Sequence, residues 1–253
     1  MTSLRIPIDR LVEHPYANLL TYPRSDDEEI IRRIKELREF GVGFLRFEGR
    51  TKIGSLGILG KGCVSIAVKA EVGRRLYAIK IRRVDANRPS LRHEADMHRI
   101  ANNLRVGPEL YKASENFLLM ELAKGWKISE WIKKLKGKGS ASSLRKVLKE
   151  VMDQCHRLDL GGLDHGELSN LKSHIVVGKN VFIIDFESAG TERRISNLTS
   201  ASQYLFVGGF IAKKVRKIIG IKSLDSVLNS LREYKFEMNR NTYQALLREL
   251  KLI

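Results

Sequence analysis

The sequence predicts an α+β fold in which a strand-rich part is followed by a mainly helical part. Residues 44–83 and 109–122 contain short runs of β-branched and other apolar residues with glycines between them, which is the pattern of β-strands. The later residues have mostly helical periodicity, and 253 residues are enough for one large core or two smaller lobes. We expect the later helices at residues 128–135, 144–158, 197–219, 224–234 and 242–252.

The first 43 residues are expected to form a helical extension. Pro7, Pro15 and Pro23 interrupt any long element before residue 24. From Ser25 the sequence Ser-Asp-Asp-Glu is typical of a capping box, apolar residues then recur at helical spacing, and Gly41 ends the pattern. Acidic residues lead this helix, so we expect it to pack on the next domain rather than to dock on phosphates.

The chain is strongly basic, with a net charge of +17. Such a charge attracts nucleotides, RNA and other anionic surfaces, so RNA or a ribonucleoprotein is an expected partner. No RNA-reading motif accompanies the charge. Lys213, Lys214, Arg216 and Lys217 are clustered near the end of one predicted helix. They either complement the helix dipole in solvent or contact RNA or a membrane, and we favour the first interpretation.

Composition favours a cytoplasmic protein. The longest apolar stretch, around residues 205–212, is too short to span a bilayer. The first residues lack the charged and then apolar pattern of a signal peptide. Cys63 and Cys155 are far apart and have no metal-type spacing, so we expect two reduced thiols.

Three features of the strand-rich part indicate binding of a nucleotide. Gly60-Lys61-Gly62 lies between two predicted strands, where glycines let backbone amides approach a triphosphate, although a Walker-type motif is missing. Lys80 lies inside an apolar strand and needs an acidic partner, which Glu94 of the next predicted helix can supply. At residues 120–125 a strand gives way to a loop whose backbone could hydrogen-bond an adenine edge.

A predicted hairpin in the second part brings acidic residues together. Its strands, Ile175–Val177 and Val181–Ile184, carry His165-Gly166-Glu167 before one end and Asp185-Phe186-Glu187 after the other. Asp185 follows an apolar strand directly, and a cation would offset the cost of burying its carboxylate. Carboxylates without a cysteine or histidine cluster suit Mg²⁺, which commonly bridges one or two of them to phosphate oxygens.

These motifs, in this order, resemble the protein-kinase-like superfamily over about residues 50–190. They are most similar to the small atypical kinases of archaea: the RIO group, the kinase subunit of the KEOPS tRNA-modification assembly, and a predicted archaeal serine/threonine kinase family. The residues that carry the resemblance are Gly60-Lys61-Gly62, Lys80, Glu94, Met120-Glu121-Leu122, His165-Gly166-Glu167-Leu168 and Asp185-Phe186-Glu187.

The resemblance implies a bilobal fold with a small antiparallel-sheet N-lobe at residues 44–122 and a mainly helical C-lobe at residues 123–253. ATP with Mg²⁺, or Mn²⁺, would bind between the lobes, and the hinge near residues 121–125 would contact adenine through Glu121, Leu122 and Ala123. By the same resemblance, the segment Gly60-Lys61-Gly62 would cover the phosphates. The remaining implied roles are phosphate binding by Lys80 paired with Glu94, metal binding by Asp185 and catalysis by Glu167.

The sequence departs from the kinase pattern at three positions. Glu167 stands where an aspartate is usual, which keeps the carboxylate but changes its reach. Lys172 stands where the metal-binding asparagine is usual and cannot bind Mg²⁺, so Asn170 and His174 are rival ligands. Glu187 replaces the glycine that usually follows, and is either a further metal ligand or a charged turn residue.

We therefore expect an ATP-dependent phosphotransferase of the atypical serine/threonine kinase type, slow or partly ATPase-like, with an unidentified protein substrate. Two alternatives stay open. One is a small-molecule kinase of the choline or aminoglycoside type, which the basic second part disfavours. The other is a nucleotide-binding pseudokinase that scaffolds an RNA-related complex.

Overall fold

The computed structural model describes residues 4–253 and divides them into two compact units. Unit 1 contains residues 4–96 and Pro108–Leu122, and unit 2 contains Met97–Gly107 and Ala123–Ile253. The predicted α+β class is confirmed, since unit 1 is built around antiparallel strands and unit 2 is mainly helical.

Unit 1 is organised by one antiparallel sheet with the strand order β1-β2-β6-β7-β9-β8, to which β5 adds by pairing with β6. A separate hairpin is formed by β3 and β4. The strands of unit 1 are β1 Leu4–Pro7, β2 Val42–Phe47, β3 Thr51–Ile53, β4 Leu56–Ile58, β5 Gly60–Lys61, β6 Ser65–Val72, β7 Arg75–Arg82, β8 Leu110–Ala113 and β9 Phe117–Glu121. Its helices are a 3₁₀ turn at Ile8–Val12, α1 Ala17–Leu20 and α2 Asp27–Glu39; α3, Arg92–Asn103, contains the boundary with unit 2.

The predicted extension at residues 1–43 is not separate within the described residues, and its positions 1–3 lie outside them. Strand β1 pairs with β2, because Ile6 and Leu45 oppose each other and both side chains join the core of unit 1. Helix α2 packs Ile30 and Ile34 into the same core. The expected capping box at Ser25 is also wrong, since the side chain of Asp26 caps the helix by accepting a hydrogen bond from the Glu29 amide.

Unit 2 has a helical core that surrounds the long, amphipathic α5. One face of this helix is buried, including Leu144, Leu148 and Val151. The helices are α4 Ile128–Lys134, α5 Ser140–Leu160, a 3₁₀ turn at Leu168–Asn170, α6 Asn197–Ser202, a π-helical turn at Gln203–Val207, α7 Gly209–Ile219, α8 Asp225–Phe236 and α9 Arg240–Glu249. The single helix expected at residues 197–219 is thus broken by the π turn and by Gly208.

A small antiparallel sheet in unit 2 contains the expected hairpin. Its strands β10 Trp126–Lys127, β11 Ile175–Val177 and β12 Val181–Ile183 pair in that order. Residues 97–107, which the prediction assigned to the N-lobe, belong to unit 2 because Ala101 and Val106 are buried in its core. None of the helices in the described residues is both long enough and apolar enough to cross a membrane.

Candidate functional site

Lys80 of unit 1 forms an ion pair with Glu94, as the sequence predicted. Strand β7 pairs with β6 on one side and with β9 on the other, so Lys80 opposes Ala67 and Leu118 in the middle of the sheet. Its ammonium donates a hydrogen bond to Glu94 in the first turn of α3. The side chains are 13% and 2% exposed. A carboxylate this buried requires a cation to compensate for its lost hydration.

The segment Gly60-Lys61-Gly62 forms the short strand β5 and the turn that leads into β6. The Gly62 amide already donates to the Ser65 carbonyl over 2.8 Å, and the Lys61 ammonium donates to the Tyr22 hydroxyl over 2.6 Å. A methyl group at position 60 would meet no atom within 4 Å. The geometry of the chain therefore does not require a glycine at position 60.

The three residues expected to contact adenine lie in sequence at the boundary of the units. Glu121 ends β9, and its amide donates to the Glu109 carbonyl over 2.8 Å. Leu122 is the last residue of unit 1 and is buried, and Ala123 is the first of the next segment of unit 2.

In unit 2, the loop that contains His165 is held by a buried polar network. The His165 amide donates to the Asn197 side-chain oxygen over 2.8 Å. The Asn197 amide group in turn donates to Asp159 and to the Leu163 carbonyl, each over 2.8 Å. Asp159 also accepts from the Tyr234 hydroxyl over 3.0 Å. Burial raises the pKa of Asp159 to about 6, although these donors favour the carboxylate.

The imidazole of His165 is completely buried below this loop. Its Nε2 lies 3.1 Å from the Ile184 carbonyl oxygen. Because a carbonyl can only accept a hydrogen bond, Nε2 carries the proton of the neutral ring, and Nδ1 has an unshared electron pair. Among the described residues nothing hydrogen-bonds that buried Nδ1. Burial, followed by the neighbouring His174, lowers the pKa of His165 to about 4. The ring is therefore a neutral support for the loop.

Glu167, His174 and Asp185 lie together in unit 2. The His174 Nε2 is 2.9 Å from a Glu167 carboxylate oxygen, and its Nδ1 is 3.9 Å from the Asp185 Oδ2. The other Glu167 oxygen accepts a hydrogen bond from the Ser188 hydroxyl. Three loop segments thus converge on one carboxylate-rich position.

The His174 ring is oriented as a metal-binding histidine commonly is. Metal-ligating histidines usually donate their second ring N–H to a carboxylate, and the Nε2 of His174 has Glu167 in that position. Its Nδ1 is buried, accepts no hydrogen bond from the described residues, and is on the side of Asp185. His174 and Asp185 therefore fit the first coordination shell of a divalent cation.

Asp185 has a strained backbone, with φ +76°. Residues other than glycine rarely adopt this left-handed conformation, and such strain persists where the surroundings hold it. Packing of the next residue, Phe186, stabilises this backbone conformation. The Phe186 ring is buried, and its centroid lies 5.0 Å from that of the His98 ring and 5.2 Å from that of the His165 ring. Gly107 fits against the Phe186 ring, where a side chain would come within 2.9 Å of it.

The other predicted ligands of unit 2 have different surroundings. Asn170 is exposed, and only its amide reaches the loop, by donating to the Glu167 carbonyl over 3.0 Å. Lys172 is also exposed. Glu187, by contrast, is half-buried and brings a carboxylate oxygen within 4.8 Å of one of Asp185, so it remains a candidate ligand beside Asp185. Between the rivals Asn170 and His174, the geometry therefore favours His174.

Sequence reasoning missed two residues of this region. Ser188 holds one oxygen of Glu167. Arg193 lies over Gly166, with its Nη1 2.5 Å from where a side chain of residue 166 would start and 3.9 Å from the Asp164 Oδ2. Its guanidinium places a positive charge beside the His165 loop. Arg193 follows the resembling segment, so no motif pointed to it.

Part of the chain is similar to a known archaeal protein. No protein-family model matches the chain. The chain is 29% identical to an uncharacterized protein of Methanocaldococcus jannaschii, MJ1211, over 118 residues, which are 46% of this chain and 98% of the relative. This similarity indicates no activity.

Proposed function

We propose that the protein is an ATP-dependent phosphotransferase of the atypical serine/threonine kinase type. The observation that carries the proposal is the ion pair between Lys80, in the middle of a sheet, and the almost completely buried Glu94. A lysine fixed in this way presents a positive charge that suits the α- and β-phosphates of ATP. We likewise propose that the two units correspond to the N-lobe and the C-lobe of a kinase-like fold.

Residues of unit 2 would supply the cation site and the general base that phosphoryl transfer requires. Asp185 and His174 would hold a divalent cation, which when bound neutralises the developing charge on the transferred phosphoryl group. Glu167 would accept the proton of the attacking hydroxyl. Its two contacts, with His174 and Ser188, fix the carboxylate in one orientation, and catalysis of this type depends mostly on positioning.

One observation favours a second candidate, a nucleotide-binding protein that transfers phosphate slowly or not at all. Both oxygens of Glu167 are engaged, one by His174 and one by Ser188. A carboxylate held at both oxygens is less free to turn toward an attacking hydroxyl, and phosphoryl transfer depends on that alignment. This candidate keeps Mg-ATP binding and differs from the first only in turnover.

The decisive experiment measures Mg-ATP binding and transfer of the γ-phosphate, to protein and to water, in the wild type and in Lys80→Met. Removing one preorganised charge from a phosphoryl-transfer site lowers the rate by about 10²–10³-fold. Lys69→Met is the matched control, since Lys69 is also a strand lysine of unit 1 and is paired with Glu48. We expect this control to bind and turn over ATP as the wild type does.

Loss of Lys80 leaves the Glu94 carboxylate buried without its cation, so Lys80→Met alone could unfold unit 1. The double variant Lys80→Met/Glu94→Gln removes the charge as well and should restore the fold, which circular dichroism checks. A folded double variant that binds Mg-ATP with wild-type affinity would refute the proposal. Wild-type protein that binds Mg-ATP without any γ-phosphate transfer would select the second candidate.

A further inference from the structure

A lysine-lined cavity lies within unit 2, and the proposed phosphotransfer does not use it. Its volume is about 860 Å³, and its walls are residues 135–141, between α4 and α5, together with one face of α7. Five lysines line it and no acidic residue does. These lysines are Lys136, Lys138, Lys213, Lys214 and Lys217.

Four of the five lysines are available to a ligand. Lys214 donates to the Lys133 carbonyl at the end of α4 over 2.8 Å and so has a structural role. The other four are exposed, and within residues 4–253 none of them has a salt bridge or a side-chain hydrogen bond. Like charges that line one cavity repel one another, and an anion would relieve that repulsion.

The face of α7 that lines the cavity also presents an aromatic ring. Phe210, Lys213, Lys214 and Lys217 follow at spacings of three and four residues, which places them on one side of the helix. The opposite side carries the residues that are buried in the core of unit 2. Phe210 is 69% exposed, so a face of its ring is open to a ligand.

The loop at residues 135–141, which forms the other wall, contains two glycines in the left-handed backbone conformation. Gly137 and Gly139 have φ +79° and +89°, and neither would meet another atom if it carried a side chain. The loop conformation therefore brings Lys136 and Lys138 to the cavity without close packing. It leads into the N-terminus of α5, whose first turn contains no acidic residue and adds a partial positive charge to that of the lysines.

We propose that this cavity binds a single-stranded nucleic acid. The four available lysines supply positive charge that suits backbone phosphates, and the exposed ring of Phe210 offers a face on which an unpaired base can stack. A membrane surface fits less well. Insertion into a bilayer requires several exposed apolar side chains, whereas Phe210 is the one large apolar side chain exposed at this cavity within the described residues.

The test measures fluorescence-anisotropy binding of full-length protein to an oligouridylate and to an oligothymidylate of about 12 nucleotides, within the usual ~4–16-nucleotide range of single-strand sites. Four lysine–phosphate contacts predict a log-log salt slope of about −2.8 for single strands, or roughly a 50-fold loss of affinity between 50 and 200 mM salt. The comparison of the two oligonucleotides decides whether RNA or DNA is preferred.

The variants separate the two kinds of contact. Lys136→Gln/Lys138→Gln and Lys213→Gln/Lys217→Gln should each reduce the magnitude of the salt slope by about 1.4. Phe210→Ala should weaken binding by about 5- to 150-fold at an unchanged slope, because stacking involves no counterion release. Lys179→Gln/Lys235→Gln is the matched control, since both residues are exposed lysines of unit 2 that do not line the cavity.

All the substituted side chains are exposed, so the variants should keep the wild-type melting temperature. Three results would overturn the proposal: no binding to either oligonucleotide by the wild type, wild-type affinity and slope in both lysine double variants, or equal losses in the control. Vesicles of phosphatidylcholine and phosphatidylserine in equal amounts serve as the competing partner. Lysine-dependent binding to the vesicles with none to the oligonucleotides would also overturn it, in favour of a membrane.

Discussion

His165 makes the stability of unit 2 depend on pH. Its pKa is lowered from an ordinary value of 6.5 to about 4, mainly by burial. The neutral ring therefore contributes stability that is complete above about pH 6.5 and is lost as the pH falls toward 4. Between pH 7 and pH 5 this single group should cost the folded state about 2 kcal/mol.

The measurement is urea denaturation of the wild type and of His165→Gln at pH 7 and pH 5. Glutamine keeps a donor for the Ile184 carbonyl but cannot be protonated, so the variant should lose about 2 kcal/mol less than the wild type on acidification. Asp159, whose pKa is raised, contributes in the opposite direction, but it is present in both proteins and cancels in the comparison. Equal losses in the two proteins would show that the burial of His165 does not set this pH dependence.

Glu167 is expected to serve turnover and not nucleotide binding. Glu167→Gln retains the size of the side chain and can keep the hydrogen bond from Ser188, but it cannot accept a proton from the attacking hydroxyl. Under the proposed function, kcat should fall by about 10²–10⁴-fold while the Kd for Mg-ATP stays at the wild-type value. Steady-state kinetics together with calorimetric titration measure the two quantities. An unchanged kcat would remove Glu167 from the mechanism.

Substitution of Gly60 in β5 tests whether this glycine is needed for the fold or for binding of a ligand. A methyl group at position 60 meets no protein atom, so Gly60→Ala should leave the melting temperature unchanged or slightly higher. If triphosphate approaches this backbone closely, the same change should weaken Mg-ATP binding by about 10-fold, since only glycine permits the closest approach.

Gly43→Ala is the control for this prediction, because Gly43 lies in β2 and also has open space around it. It should alter neither the melting temperature nor the affinity for Mg-ATP. Equal affinities for Gly60→Ala and Gly43→Ala would show that β5 does not cover the phosphates.

The predicted hairpin of unit 2 shows what sequence patterns can and cannot give. The β-branched runs located β11 and β12 to within one residue. The role of Gly178 was not visible, since it was interpreted as a turn residue. In the structure a side chain at position 178 would collide with the Lys124 carbonyl, and one at Gly125 with the Val177 carbonyl. That constraint comes from β10, about 50 residues earlier in the chain, and local patterns do not contain it.

The candidate site was predictable to a similar extent. The pairing of Lys80 with Glu94 followed from a local conflict, a charge inside an apolar strand, that the sequence displays directly. The left-handed backbone conformation of Asp185 could not be predicted from the sequence. Packing of Phe186 against histidines from two other segments stabilises this strained conformation. Pairing of Ser188 with Glu167 likewise depends on how two loops meet.

The net charge of +17 predicted a polyanionic partner without locating it. The structure shows two kinds of lysine. Lys112, Lys127 and Lys214 donate hydrogen bonds to backbone carbonyls. Several lysines around the cavity of unit 2 have no partner among the described residues. The helix-dipole interpretation was favoured for the cluster near the end of α7, but its three lysines all line the cavity, and one of them, Lys214, also has a structural role.

The two units have separate hydrophobic cores, and both tryptophans, Trp126 and Trp131, belong to unit 2. Tryptophan fluorescence therefore reports the unfolding of unit 2 alone. By the proposed function, the binding of Mg-ATP depends on Lys80 of unit 1 and also on Asp185 of unit 2. Mg-ATP at about 100 times its Kd should then stabilise the transition that fluorescence reports by about 2.7 kcal/mol.

This stabilisation of unit 2 should disappear in Lys80→Met/Glu94→Gln, although both substitutions are in unit 1, and also in Asp185→Asn. It should persist in Lys69→Met and vanish when the divalent cation is chelated. Denaturant titrations of each variant with and without Mg-ATP measure the shift against the variant's own ligand-free curve. A shift that survives the double variant but is lost in Asp185→Asn would mean that unit 2 binds the nucleotide without Lys80, which contradicts the proposed role of the buried ion pair.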